Sequence, residues 1–478
     1  MYWLQQITRK HNRSFHPTAV AAGEFGVTLS NMENAMKFLY LLVVFLFLIL
    51  VTGSSYAEKA VPSTMGGASD HEQEKKTAQK ETYDAHRSYT RYHFEHDEMD
   101  FAFQWLLGSI PNGGAEVGEA FYVAGNIEDG NPESWQKEWK KMAIRKEIRA
   151  KAAFEKGRKI TARENYLKAS NYYRTALVSM LPDNPEFNGI AEKIRTSMKK
   201  AGKLSNPQMT YFEVPFEKTA LPGYFRPVIK DGKPRKTLLM IGGGETFIED
   251  NVFYIEPQAI KNGYNFITVD IPGQGMLPAE GLFFRKDTET QMKAILDVIL
   301  KFPEVDPEKL AVYGISNGGY FVPRAATVEK RIKAIVISSA VVDNYRMFKE
   351  MPFSKDTQEQ IDQWPSFKKA VTSAVTWRWG LDPKNVKGQA EATKDFQFDP
   401  AKVTCPVLDI VGAGEYVNKE TERQQKEFMD KVGTQNKTLV ITPENEGASS
   451  HCIGENRTLM AEIVFDWLDD LFGDKREK

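Results

Sequence analysis

The residues with the clearest potential for chemistry lie in the segment KLAVYGISNGGYFV, from Lys309 to Val322. This segment contains the pattern Gly-x-Ser-x-Gly around Ser316. In that pattern a serine can sit on a sharp turn between a strand and a helix, with its hydroxyl exposed as a nucleophile. The run KLAVYG before Ser316 indicates a strand, and GGYFVPRAAT after it favours a helix. The local sequence therefore predicts that Ser316 is a catalytic nucleophile.

A serine hydroxyl of ordinary pKa is a weak nucleophile and needs a neighbouring base. Of the seven histidines in the chain, six precede residue 97, and His451 is the exception. His451 follows the last predicted strand, within TLVITPENEGASSHCIGEN. The base belongs there if the catalytic residues follow the chain order serine, acid, histidine. We therefore predict that His451 is the general base.

The acid that orients the base should follow a late strand of the same sheet. The segment PVLDIVGAGEYV ends in Gly-x-x-Glu, which makes Glu415 the predicted acid. Asp343, after IVISSAVV, is an alternative located one strand earlier. Asp409 lies in the middle of a predicted strand, and we expect it to be structural.

Attack by a serine also requires two backbone N–H donors aimed at the developing oxyanion. One donor is expected from Asn317, directly after the nucleophile. The other is expected from MIGGGET, at Gly243 or Gly244, where the missing side chains let the backbone approach a substrate. A phosphate-binding loop is the alternative, but GGGE matches neither G-x-G-x-x-G nor G-K-[ST]. The pattern therefore favours an oxyanion hole over a nucleotide site.

The elements that would position these residues lie in residues 206–478. Short apolar runs rich in β-branched residues alternate there with helical stretches, which indicates a parallel sheet covered by helices on both faces. We predict an α/β fold with a mostly parallel central sheet, interrupted by a helical lid insertion at about 344–395. Residues 89–205 are predicted to form an N-terminal helical module, in which Asn131 caps a helix that begins at Pro132.

An apolar segment near the N-terminus bears on where the protein acts. Lys37 is followed by about 14 apolar residues, 38–51, and then by Ser55-Tyr56-Ala57, which offers an A-x-A-like cleavage site. This length suits a signal peptide better than a membrane span. We therefore predict a signal peptide over residues 36–57 and export to the periplasm or the exterior. A membrane anchor formed by residues 38–51 is the alternative.

The stretches on either side of this segment are predicted to be an upstream extension and a flexible tether. Met36 directly precedes Lys37, so we expect translation to begin naturally at Met36 and residues 1–35 to be a non-native upstream extension. Residues 58–88 are polar and charged, and they predict a flexible tether.

Composition limits the partners and cofactors. The formal net charge of the 478 residues is −1, and without a long basic stripe we expect no nucleic-acid partner. The two cysteines, Cys405 and Cys452, have no metal-ligand spacing and are expected at opposite ends of the sheet, too far apart for a disulfide. His93-x-x-His96 is more typical of a solvated surface than of a metal site. We predict neither a metal nor a cofactor. The sequence is compatible with a homo-oligomer and does not predict the oligomeric state.

These motifs resemble those of the α/β-hydrolase superfamily. The resemblance is closest to the group that contains 2,6-dihydroxypseudooxynicotine hydrolase, the polyketide-shortening hydrolase of fungal pigment synthesis and the fermentation–respiration-switch esterase. It spans roughly residues 90–475 and is carried by ESWQKEW, YLKASNYYRTA, LPGYF, IGGGETFIEDNVFY, DIPGQG and GISNGGYFVPRAATVEKRIKAIV. The resemblance implies an α/β-hydrolase fold and a Ser316, Glu415 and His451 triad under a lid built from the helical module and the insertion.

The activity that this resemblance implies is that of a serine hydrolase. The predicted export, which rests on the N-terminal apolar segment, is a departure from the cytoplasmic members of the group. The substrate would be a small molecule with an ester or a ketone-activated C–C bond, and the lid residues Trp364, Trp377 and Trp379 hint at an apolar or aromatic one. A peptidase or amidase of the same superfamily is the main alternative, and an inactive hydrolase fold used for binding is a weaker one. The sequence departs from the group at Glu415, where aspartate is usual.

Overall fold

A computed structural model of the chain describes residues 90–473. The predicted upstream extension (1–35), signal peptide (36–57) and tether (58–88) lie outside these described residues. Within residues 90–473, none of the helices combines the length and the apolar character that crossing a membrane requires.

An eight-stranded mixed sheet forms the centre of the fold, in the spatial order β1-β2-β4-β3-β5-β6-β7-β8. Strands β3 to β8 run parallel, which confirms the predicted mostly parallel sheet. The strands are β1 (Thr210–Phe216), β2 (Thr219–Arg226), β3 (Arg235–Ile241), β4 (Asn265–Val269), β5 (Val305–Ile315), β6 (Ala334–Ser338), β7 (Val407–Gly412) and β8 (Lys437–Thr442).

Strands β1 and β2 form an antiparallel hairpin that the sequence pattern did not identify. They pair with each other, and β2 also pairs antiparallel with β4. Each carries a proline, Pro215 in β1 and Pro222 in β2, and proline weakens a strand assignment because it cannot donate to the ladder. The hairpin lies at one edge of the sheet and adds the antiparallel part of the fold.

Alternating side chains of the central strands supply two separate cores. In β3, Leu239 and Ile241 belong to the core on one face of the sheet. Leu238 and Met240, which point the opposite way, belong to the core on the other face. Both faces are therefore covered, as the continuous apolar strands predicted.

Helices precede the sheet, cover it and interrupt it. Among the described residues, five precede it: α1 (Asp97–Leu107), α2 (Val117–Ala124), α3 (Pro132–Glu155), α4 (Lys159–Leu177) and α5 (Phe187–Leu204). Those between or after the strands are α6 (Ile248–Lys261), α7 (Thr288–Ile299), α8 (Gly318–Ala326), α9 (Asn344–Glu350), α10 (Pro352–Lys355), α11 (Gln358–Asp362), α12 (Ser366–Arg378), α13 (Gly388–Ala392), α14 (Ala413–Tyr416), α15 (Lys419–Lys431) and α16 (Arg457–Phe472). Helices α9 to α13 lie between β6 and β7 in the chain.

The first long helix begins as its sequence predicts. The Asn131 side chain accepts a hydrogen bond from the Ser134 N–H at 3.0 Å, and Pro132 occupies the first helical position. Trp135 and Trp139 on this helix are completely buried, in a core shared with α4 and α5. An aromatic core of this kind fixes the helices before β1 against one another.

Candidate active site

Ser316 lies on a strained turn at the carboxyl end of β5, directly before α8. Its φ is +54°, a left-handed conformation that residues other than glycine seldom adopt. Its N–H donates to the Ser338 carbonyl at 2.6 Å, which ties the turn to the end of the neighbouring strand β6. The strand–turn–helix arrangement exposes the hydroxyl at the carboxyl end of the parallel strands, as a nucleophile elbow requires.

The glycines around Ser316 are explained by close approaches of the backbone. A Cβ atom on Gly314 would lie 2.2 Å from the Gly318 carbonyl oxygen. A Cβ on Gly319 would lie 1.8 Å from the Ser339 carbonyl oxygen. Neither distance is compatible with a side chain, so the turn depends on glycine at both positions.

The structure brings Ser316, His451 and Glu415 together, although they are far apart in sequence. Ser316 Oγ lies 3.0 Å from His451 Nε2, and His451 Nδ1 lies 2.8 Å from Glu415 Oε1. Because a carboxylate only accepts hydrogen bonds, the tautomer that fits has its proton on Nδ1 and leaves Nε2 free to accept from the serine hydroxyl. Glu415 is 3% exposed, so the imidazole and the carboxylate meet in a largely dry environment.

The loop that carries His451 is held in place by backbone contacts. The Tyr254 hydroxyl donates to the Cys452 carbonyl at 2.5 Å. The Gly414 N–H, in the turn that carries Glu415, donates to the Ser449 carbonyl at 3.1 Å. The first bond ties the His451 loop to α6, and the second connects the loops after β7 and β8, which positions Glu415 relative to His451.

Charges around His451 favour its protonated form. Burial by itself lowers the pKa of His451, but its interactions with Cys452 and Glu415 raise it, and the net pKa lies well above 6.5. Burial also raises the pKa of the Cys452 thiol, which keeps this thiol neutral near pH 7. Glu415 is therefore the neighbouring charge that acts on the imidazole at neutral pH.

The structure does not bring the alternative acid, Asp343, to His451. Its carboxylate caps α9 by accepting the Arg346 N–H at 3.1 Å, and it does not contact His451. Asp409 is completely buried within β7 and accepts the Ala340 N–H at 3.2 Å, in keeping with the predicted structural role. Both cysteines, Cys405 and Cys452, are free thiols.

The predicted oxyanion donors are only partly available. The Gly243 N–H donates to Thr246 Oγ1 at 2.6 Å, so the prediction that Gly243 is a donor does not hold in this structure. Within residues 90–473, the N–H groups of Gly244 and Asn317 have no hydrogen-bond partner. A Cβ on Gly243 would lie 2.6 Å from the Ser316 Cβ, so glycine is needed there for space. Gly244 and Asn317 are the pair that remains for an oxyanion.

Gln274 orients the loop of Gly242, Gly243 and Gly244, here called the glycine loop. The sequence analysis did not single out Gln274. Its Nε2 donates to the Gly242 carbonyl at 2.6 Å and to the Gly243 carbonyl at 3.0 Å. The C=O and N–H of a trans peptide point in opposite directions. Holding the Gly243 carbonyl therefore turns the Gly244 N–H away from Gln274. The motif DIPGQG, which contains Gln274, was the available signal.

A cavity of about 170 Å³ opens beside Ser316 and His451. Of the three tryptophans singled out from the sequence, Trp364 lines this cavity, whereas Trp377 packs on Phe187 and Trp379 is 7% exposed among other aromatic rings. The larger apolar side chains along the wall are Phe101, Trp105, Met347, Phe348, Met351, Phe353 and Trp364.

Charged groups line the same cavity but do not form a metal site. Glu98, Arg174 and Lys368 contribute to the wall. The Arg174 guanidinium is bound by Asp250 at 2.9 Å. In the part of the chain that the structure describes, no group of three or more His, Cys, Asp and Glu side chains is arranged to hold a metal ion.

Known proteins resemble this chain in sequence over most of its length. Residues 125–358 match the family described as Esterase FrsA-like. The chain is 29% identical to 20-hydroxy-prefusarin hydrolase FUS2 of Gibberella moniliformis over 415 residues, which covers 80% of this chain and 99% of that protein. It is 28% identical to alpha/beta hydrolase pydG of Acremonium sp. over 420 residues, covering 79% and 97%.

Two solved structures share the fold. The 2,6-dihydroxy-pseudo-oxynicotine hydrolase matches with a TM-score of 0.60 and 19% identity, over 76% of this chain and 95% of that one. AbyA5 matches with a TM-score of 0.55 and 17% identity, over 77% and 93%. The fold, the family match and the curated hydrolases agree with the resemblance read from the motifs. The chain is therefore an α/β-hydrolase enzyme, similar to these hydrolases and to the FrsA-like esterases.

Proposed function

We propose that the protein is a serine hydrolase that cleaves an ester or a ketone-activated C–C bond through a covalent acyl-enzyme. Ser316 is the nucleophile, His451 the general base and acid, and Glu415 the residue that orients and stabilises the imidazolium. The observation that carries this proposal is the pair of distances at His451, 3.0 Å to Ser316 Oγ and 2.8 Å to Glu415 Oε1. Both distances lie within the range over which protons are transferred or shared.

In the first step, Ser316 Oγ attacks the substrate carbonyl carbon while its proton passes to His451 Nε2. The carbonyl π electrons move to oxygen, and the N–H groups of Gly244 and Asn317 are the donors for that oxyanion. Glu415 stabilises the positive charge that develops on the imidazole.

In the second step, the tetrahedral intermediate collapses and the bond to the leaving group breaks. His451 Nε2 returns its proton to the leaving alkoxide of an ester, or to the enolate carbon released when a ketone activates a C–C bond. Water then attacks the acyl-enzyme with His451 again as base, which releases the carboxylic acid and restores Ser316.

The walls of the cavity favour a substrate with an apolar or aromatic body. Aromatic and aliphatic side chains, among them Trp105, Phe348 and Phe353, line most of the space beside Ser316. Apolar walls with a few polar groups are typical of sites that bind small organic molecules. The charged groups Glu98 and Lys368 provide polar contacts within the same cavity.

A substrate panel tests the proposed reaction. Purified protein is assayed against aryl esters, β-diketones and peptide amides matched in size. We expect turnover of esters or β-diketones with a pre-steady-state burst of the first product, and a loss of at least about 10⁴-fold in kcat for Ser316→Ala. Turnover confined to peptide amides would favour a peptidase instead. No turnover of any class by folded protein would contradict the proposal.

We also propose that the enzyme acts outside the cytoplasm. The support is the apolar segment 38–51 followed by Ser55-Tyr56-Ala57. N-terminal sequencing of protein recovered from the producing cell tests this proposal. A new N-terminus at Glu58 is expected, whereas a retained segment 38–51 would favour the anchored alternative.

A further inference from the structure

The turn between α3 and α4 carries a concentration of positive charge that its surroundings do not neutralise. Residues 148–160, here called the basic tip, contain five basic residues and one acidic residue, Glu155. Within the described part of the chain, none of the five basic side chains forms an ion pair. The five are Arg149, Lys151, Lys156, Arg158 and Lys159. This is unusual in a chain whose net charge is −1.

Large apolar side chains are exposed among these charges. The exposed fractions are 64% for Ile148, 53% for Phe154 and 78% for Ile160. Single exposed apolar residues are common on protein surfaces and carry no meaning. Three of them within thirteen residues, interleaved with unpaired cations, form an amphipathic surface.

Arg158 and Lys159 are not explained by helix stability, whereas Lys156, the C-cap residue of α3, lies at a helix end that favours a cation. Arg158 is the N-terminal cap residue of α4 and makes no side-chain capping bond, and Lys159 begins the helix. Cations at a helix N-terminus are disfavoured by the helix dipole. The first turn of α4 contains no acidic residue that would offset them. Folding therefore gains little from the charge of Arg158 and Lys159, which points to a role in binding.

We propose that the basic tip binds the surface of an anionic phospholipid bilayer. Lysine and arginine attract the lipid phosphates, and exposed Ile and Phe side chains insert at the boundary between headgroups and acyl chains. Nucleic acid would satisfy the charges but would offer no apolar environment for Ile148, Phe154 and Ile160. A second copy of the chain would cover the apolar side chains but would bring together two surfaces of like charge. A bilayer with anionic headgroups satisfies both features.

The test measures binding of the full chain to vesicles by co-sedimentation. Vesicles of phosphatidylcholine alone are compared with vesicles that also contain phosphatidylglycerol. The charge variant combines Lys151→Glu, Lys156→Glu and Lys159→Glu, and the apolar variant combines Ile148→Ser, Phe154→Ser and Ile160→Ser. A matched control reverses three other exposed lysines that form no ion pair within residues 90–473: Lys218→Glu, Lys230→Glu and Lys301→Glu. Thermal melting verifies that every variant is folded.

We expect the wild type and the matched control to bind the anionic vesicles preferentially and to be released by salt. The charge variant should bind at least about 100-fold more weakly, because it loses the attraction of three basic residues to the anionic surface. The apolar variant should also bind more weakly. Equal binding of the charge variant and the control, or equal binding of wild type to both kinds of vesicle, would overturn the proposal.

Two further results would assign the tip to another partner and would also overturn the proposal. One is binding of the wild type to duplex DNA, lost in the charge variant, without binding to anionic vesicles. The other is a wild-type mass by light scattering that falls to that of a monomer in the apolar variant. Hydrolysis of a soluble ester is expected to be the same in all these proteins, so failure of the tip proposal and failure of the proposed activity are distinguishable.

Discussion

His451 is the residue on which the candidate site depends, because it contacts both Ser316 and Glu415. Removing the Glu415 charge by Glu415→Gln should lower kcat by about 10⁴-fold, since an amide does not hold the required tautomer or stabilise the imidazolium. The matched control is Asp343→Asn, which keeps a capping side chain on α9 and should leave kcat nearly unchanged. Loss of activity in Asp343→Asn and not in Glu415→Gln would assign the acid to Asp343.

The pH dependence of the reaction provides a second test of the same contact. His451 must be neutral to accept a proton, and its pKa lies well above 6.5, because its interactions with Cys452 and Glu415 outweigh the lowering effect of burial. The wild-type kcat/KM should therefore rise with pH, with its midpoint above 6.5. In Glu415→Gln the residual activity should have a lower midpoint, because a charge that raises the pKa has been removed. An unshifted midpoint would show that Glu415 does not act on the titrating group.

Gln274 is predicted to act through the glycine loop and not on the substrate directly. Gln274→Met removes the donor to the Gly242 and Gly243 carbonyls while keeping a side chain of similar length, so the Gly244 N–H loses its orientation. We expect kcat to fall by about 10²-fold with little change in KM, as for a misplaced oxyanion donor.

The control for Gln274→Met is Gln291→Met. Gln291 is also buried, but its amide makes no hydrogen bond among the described residues. Equal kcat losses in the two variants would mean that the effect is one of general packing.

Single residues were predicted from the sequence where residue type and chain order both limited the choice. His451 was such a case, because the other histidines precede residue 97. The N–H of Gly243 was assigned wrongly, because its bond to Thr246 depends on the conformation of the loop. Gln274 was missed because its partners are carbonyls about 30 residues away in sequence.

At the scale of elements, the site forms where the loops after β3, β5, β7 and β8 meet at the carboxyl end of the parallel strands. Parallel strands bring their carboxyl ends together, and residues that serve catalysis in open α/β sheets gather at that end. The site requires the loop after β3 to pass close to Ser316. Glycine at position 243 allows this approach, because a Cβ there would lie 3.1 Å from Ser316 Oγ.

Gly243→Ala tests the requirement for a close approach. The added methyl group should displace Ser316 and lower kcat by about 10²-fold. Gly118→Ala is the control, because a Cβ at Gly118 meets no atom within 4 Å, and alanine in helix α2 should stabilise the protein by about 1 kcal/mol. Full activity in folded Gly243→Ala would show that the loop has room for a side chain.

The parallel strands could be predicted because each is a continuous apolar run between helical segments. The β1–β2 hairpin could not be predicted, because Pro215 and Pro222 are atypical of strands and because its position is set by pairing with β4.

The basic tip could not be predicted from the net charge of the chain, which is −1. Acidic residues such as Glu138 and Glu147 are close to the tip in sequence, but they pair with Lys141 and Lys193.

For the whole molecule, the buried carboxyl of Asp409 should make stability depend on pH. Burial raises its pKa well above 3.8, against the lowering effect of the Ala340 N–H and together with the nearby charge of Glu415. The folded state therefore holds this proton more tightly than the unfolded state, and stability falls as pH rises from 3.8 through the folded pKa. Asp409→Asn does not titrate, so its melting temperature relative to wild type should rise with pH. A constant difference across that pH range would mean that Asp409 is not protonated in the fold.

The central claim is that Ser316 is a nucleophile activated by His451. It is tested most directly by reaction with a fluorophosphonate, followed by intact-mass measurement and mapping of the labelled peptide. The wild type is predicted to gain one phosphonyl group on the peptide that contains GISNGG, while Ser316→Ala gains none and His451→Ala reacts far more slowly. Absence of labelling in folded wild-type protein, or a label on another residue, would contradict the claim.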